Sequence, residues 1–172
     1  MTREISRRAM MAGAALGGAA AATGRAIAAP VHLGLDDIEK EGEVAALYHC
    51  DFGDVARFDQ TLNNISNHYS AYNGDPFALQ IALVAHGGGI KFFLDNLEGT
   101  QWDGETLPPE LFERASSLSK NGLKVHLCEI TFKRNGLDPS RARTADFISF
   151  VPSGVATVAA LQTKGFAYVK VG

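Results

Sequence analysis

The chain has few of the residues and patterns that mark common chemistries. Its 172 residues include only two cysteines, Cys50 and Cys128. That leaves one structural disulfide or a reactive thiol with a nearby partner, and spacing does not decide between them. Metal-ligand patterns are missing: no C-x-x-C, no H-E-x-x-H and no helical H-x-x-x-H accompanies His49, His68, His86 and His126, so no metal is expected. The glycine-rich stretch "AHGGGI" (85–90) has no G-x-S-x-G elbow to serve, because Ser153 in "VPSGVA" lacks the first glycine. That absence excludes a lipase-like esterase. Neither a Walker A sequence nor G-x-G-x-x-G occurs, and no cofactor is expected.

Positive charge is scarce too. Setting aside residues 1–29 removes four of the 16 basic residues and one of the 19 acidic ones, leaving 12 against 18 and a net charge of −6. Such a surface argues against nucleic acid or anionic membrane as the main partner. The apolar run Met10 to Ala22 consists mostly of Ala and Gly and is too short and weakly apolar for a membrane span.

Residues 1–29 instead have the layout of an export signal. Arg7 and Arg8 precede the mild apolar run, and "AIAAP" supplies small residues before a cleavage point after Ala28 or Ala29. Paired arginines ahead of a moderately hydrophobic core point to the twin-arginine route and a periplasmic destination. Residues 30–42 read as a linker, and residues 43–172 as one domain with enough length for a real core.

Within that domain, apolar runs alternate with helical spacing. "EVAALYHC" (43–50), "FALQIALVAH" (77–86), "LKVHLC" (123–128), "DFISFV" (146–151) and "FAYVKV" (166–171) read as five strands. Helices are expected over residues 54–72 with Asp54 as N-cap, after Pro108 and Pro109, and over 154–163 behind Ser153. This alternation predicts a single α/β domain: a five-stranded, mainly parallel sheet with helices on both faces, flavodoxin- or Rossmann-like. A strand order 2-1-3-4-5 would make the first and third strands neighbours, bringing Cys50 and Cys128 together at the carboxyl edge where ligands gather.

Cys128 in "LCEITFKR" (127–134) ends its strand where a short helix can begin, so backbone N–H groups could stabilise a thiolate. Lys133 and Arg134 would add positive potential. His126, two residues back on the same strand face, is a candidate modulator of the thiol, and Cys50 a candidate resolving partner. His86, Gly87, Gly88 and Gly89 could form an anion-binding nest of backbone N–H groups. The bland alternatives are a packed strand-end cysteine and a tight turn.

The segments "YHCDFGD", "IALVAHGGGIKFFL", "GLKVHLCEITFKRNGL" and "FVPSGVATVAALQTKGFAYVKV" resemble the DsrE/DsrF-like family of sulfur-relay proteins over roughly residues 44–172. The resemblance implies a small parallel α/β domain that assembles into trimers or hexamers. It also implies that Cys128 stands where sulfur-carrying members hold a persulfide, with the glycine-rich turn of His86 nearby. The expected partners are sulfur donor and acceptor proteins or small sulfane-sulfur compounds. The expected function is a periplasmic sulfur carrier or sulfurtransferase. The alternative is a non-catalytic ligand-binding or assembly module, with Cys128 structural or disulfide-bonded to Cys50.

Overall fold

The computed structural model describes residues 29–171; the twin-arginine signal expected over residues 1–29 lies, but for its last residue, outside them. Six strands form one sheet: β1 (Val31–His32), β2 (Val44–Cys50), β3 (Leu79–Ala85), β4 (Lys124–Cys128), β5 (Ile148–Val151) and β6 (Ala167–Val169). All neighbours are parallel, in the order β1-β5-β4-β3-β2-β6. The α/β class is as the alternating pattern predicts, with two corrections.

The sheet has six strands rather than five, because residues 30–42 belong to the fold. Val31 and His32 pair with Ser149 and Phe150, and the Leu33 N–H donates to the Phe150 carbonyl at 2.8 Å. Ile38 is buried, and the Gln80 side chain accepts from the N–H groups of Glu41 and Gly42. The second correction is the order. β3 lies between β2 and β4, so the first and third predicted strands are not neighbours.

Helices cover both faces. α1 (Val55–Ala71) starts where the Asp54 carboxylate accepts from the Arg57 N–H at 2.7 Å, a cap worth about 1 kcal/mol. It turns Phe58, Leu62, Ile65 and Tyr69 inward, a stripe three to four residues apart. Each such apolar side chain contributes roughly 1.5–3 kcal/mol on burial. The chain leaves α1 through Asn73 and Gly74, both with positive φ. α2 (Pro109–Ser119) packs beside α1 on the same face. α3 (Glu129–Arg134) follows β4 directly. α4 (Gly154–Thr163) covers the opposite face with Leu161, against Leu47, Ala82 and Val84. No helix among the described residues is long and apolar enough to cross a membrane.

Candidate functional site

Strand alternation decides the surroundings of the two cysteines. Cys50 shares the α1-side core with Ala46 and Tyr48, and Leu127 belongs to that same core. Successive side chains leave a strand on opposite faces, so Cys128 turns towards α4. Two inter-strand spacings separate β2 from β4, about 9–10 Å, whereas a disulfide needs Cα atoms within roughly 7 Å. Both thiols are free. The expected proximity of Cys50 and Cys128, the resolving role for Cys50 and the disulfide alternative are therefore corrected.

Cys50 is sealed, with 0% exposure. Its Sγ faces the Phe52 carbonyl at 3.7 Å, and burial pushes its pKa up to about 12. It is a protonated, inert thiol at neutral pH. Cys128 keeps 5% exposure and is the N-cap residue of α3, in extended backbone. Its side chain makes no capping hydrogen bond, so the expected direct bonding of a thiolate to helix N–H groups is not present in this geometry.

The glycine loop serves packing rather than an open nest. It forms a 3-10 helix, Gly87–Phe93. A Cβ on Gly89 would lie 2.2 Å from the Cys50 carbonyl oxygen and 2.7 Å from its Sγ, and one on Gly88 would lie 2.6 Å from the Gly53 nitrogen. The Gly87 N–H donates to Thr131 Oγ1 at 3.1 Å, and the Gly89 N–H to the His86 carbonyl at 3.0 Å. With those donors engaged, three N–H groups do not converge on a common point. The bond to Thr131 also ties the loop to the first turn after Cys128.

His86 is the loop residue that the β3–β4 register sets opposite Cys128. Val84 pairs with His126 and Ala85 with Leu127. His86 continues β3 in extended conformation, its N–H donating to the Cys50 carbonyl. One further step in register sets His86 beside Cys128 on the α4 face. The His86 Nε2 meets the His49 Nε2 at 2.6 Å, and His49 Nδ1 lies 3.3 Å from the Tyr168 hydroxyl on β6. Gly154, at the start of α4, leaves room for the ring, since a Cβ there would lie 2.9 Å from His86 carbon atoms. Burial holds both imidazoles below the ordinary histidine pKa; Asp51 partly offsets this for each, while Arg57 adds to it for His49 and the neighbouring ring for His86.

His49 and Tyr168 were not anticipated as site residues. They stand 37 and 82 residues from His86 in sequence, and only strand adjacency unites the three.

The remaining candidates are elsewhere. His126 shares the Cys128 face, as alternation predicts, but its Nδ1 bonds Ser149 Oγ at 2.7 Å and burial lowers its pKa to about 4. It is a neutral, packed ring and cannot lend positive charge to the thiol. Lys133 and Arg134 occupy the last turn of α3, about 7–9 Å of helical rise from Cys128, and both are exposed. Glu129 is engaged instead by His32, at 2.6 Å. Among the described residues no group of three or more potential ligands could hold a metal ion.

A thiol in register with a hydrogen-bonded imidazole pair, which can both donate and accept protons, is suited to nucleophilic sulfur chemistry. A model of the DsrE/DsrF-like family matches residues 56–171. Among solved structures, a protein of unknown function from Methanobacterium thermoautotrophicum is similar in fold. Its TM-score is 0.57 at 21% identity, covering 74% of this chain and 98% of that one. No curated protein matches the chain.

Proposed function

The chain belongs to the DsrE/DsrF-like family, and on that footing we propose that it carries sulfane sulfur as a persulfide on Cys128 after export to the periplasm. The observation that carries this reading is the contrast between its thiols. Cys50 is sealed in the apolar core with its pKa pushed to about 12, whereas Cys128 sits at the carboxyl edge of a central strand, on the face that bears His86 and His49. The thiolate of Cys128 attacks the outer sulfur of a donor R–S–SH. The donor S–S bond breaks, R–S⁻ leaves, and Cys128–S–SH forms; an acceptor thiolate reverses the exchange.

The isolation of Cys50 suits an oxidising compartment. A second thiol within reach would trap Cys128 as a disulfide, and here none in the described chain can. The donors and acceptors are proteins or small sulfane-sulfur compounds bearing thiols. The carrier assembles as a homo-oligomer, a trimer or hexamer. In support, α4 has no charged residue over its ten positions and Val155 is 67% exposed, an outer face suited to packing against another copy.

Cold cyanolysis tests the reading. Reduced protein is incubated with polysulfide, desalted and treated with cyanide, which removes the outer sulfur as thiocyanate. About one thiocyanate per chain is expected from wild type and from Cys50→Ala, and none from Cys128→Ser. Equal yields from Cys128→Ser and wild type would overturn it.

A further inference from the structure

We propose that His49 and His86 act as one acid–base unit for Cys128, taking up the thiol proton and returning it to the departing thiolate. This rests on the reading of Cys128 as the sulfur-bearing residue and adds what activates it. The argument begins with the Nε2–Nε2 contact of 2.6 Å. At that separation one nitrogen must carry the proton and the other the lone pair, so the two rings hold a single shared proton between them. The outer nitrogen of His49 is already fixed by the Tyr168 hydroxyl at 3.3 Å. The ring nitrogen left for a new partner is Nδ1 of His86, on the residue that lies beside Cys128 in register.

The proton traffic follows from those assignments. Nδ1 of His86 accepts the Cys128 thiol proton, and the resulting charge is shared with His49 through the Nε2–Nε2 bond, while the Tyr168 oxygen accepts from His49 Nδ1. Cys128–S⁻ then displaces R–S⁻ from R–S–SH, and His86 Nδ1 delivers its proton to R–S⁻. The net change is Cys128–SH plus R–S–SH giving Cys128–S–SH plus R–SH, with atoms, charge and electrons balanced.

The groups facing the pair match this role. Burial holds both rings in the neutral, proton-accepting form; Asp51, after β2, partly offsets this, and Arg57 on α1 adds to it at His49. β6 contributes Tyr168, which is 45% exposed and open to solvent. The N-terminal turn of α4 brings Ser153 and Gly154, neither charged. Gly154 is required for closeness, since any larger residue would displace the His86 ring.

The test is the pH profile of Cys128 alkylation by iodoacetamide, followed by peptide mass in the full-length protein. His86→Gln and His49→Gln are expected to slow alkylation about tenfold at pH 6, where the imidazole pair is the base at hand, and to match wild type at pH 10, where hydroxide can take the proton instead. Tyr168→Phe keeps the ring packing and should slow the pH 6 reaction only about threefold, because it removes the proton acceptor from His49 without removing an imidazole. Profiles that superimpose on wild type, or that fall by the same factor at every pH, overturn the proposal. Sulfur loading measured on the same samples separates the two claims. A wild type that shows the pH 6 advantage but takes no sulfur contradicts the carrier reading alone.

Discussion

The two faces of the sheet meet the same carboxyl edge and treat a cysteine there in opposite ways. On the α1 face, Cys50 is wedged against Gly89, whose missing side chain is filled by the Cys50 carbonyl and sulfur, and the thiol has no exposure at all. On the α4 face, the register sets Cys128 opposite His86, which is paired with His49, with Tyr168 beyond them. The difference comes from one residue of strand parity and one intervening strand. A thiol's fate in this fold is set by which face its strand position selects.

The comparison is broken most severely at its tightest contact. Gly89→Ala sets a Cβ against backbone and sulfur of Cys50, and backbone cannot rotate away. It should cost about 3 kcal/mol in urea unfolding. Gly154→Ala, the matching change on the other face, meets only a side chain. It should cost about half as much, while displacing His86 and slowing Cys128 alkylation at pH 6.

The second way is acid. His126, on the polar face, has a folded pKa of about 4 against 6.5 for the free ring. Between those values the unfolded chain binds the proton more readily than the folded one. The stability of its neutral buried state is therefore complete above pH 6.5 and lost as pH falls towards 4, on the order of 3 kcal/mol. Unfolding midpoints between pH 4 and 7 should slope accordingly in wild type, and His126→Gln should remove that part of the slope.

A smaller effect sharpens the contrast. Cys50→Ala leaves a small void in the closed face and should cost about 1 kcal/mol, with sulfur loading unchanged. Smallest of all are Lys133→Ala and Arg134→Ala. If their charge is as remote from the thiol as the far end of α3 implies, each leaves stability within about 0.5 kcal/mol and alkylation of Cys128 unaltered.

Most of the frame can be read from the sequence because it is written locally. Asp54, the stripe Phe58–Leu62–Ile65 and the paired prolines at 108 and 109 specify α1 and α2 by capping, period and fixed φ. Four of the predicted strands are apolar runs long enough to stand out. β1 is not, since Val31–His32 is two residues long, both exposed, and exists only through its pairing with β5. Strand order is equally non-local: nothing in "LYHC" or "HLC" records that β3 separates them. The glycines were visible, but their purpose was not. Gly88 and Gly89 make room for residues 50–53, a contact invisible in a run of three glycines. The same holds for His49, whose partner is set by register across two strands.

The most direct test of the account is site-resolved mass spectrometry. Reduced wild-type protein is loaded with polysulfide, trapped with an alkylating reagent and digested, and both cysteine peptides are compared. A gain of about 32 Da, one sulfur atom, is predicted on the Cys128 peptide with the Cys50 peptide unchanged. Sulfur on Cys50, or on neither peptide, would contradict it.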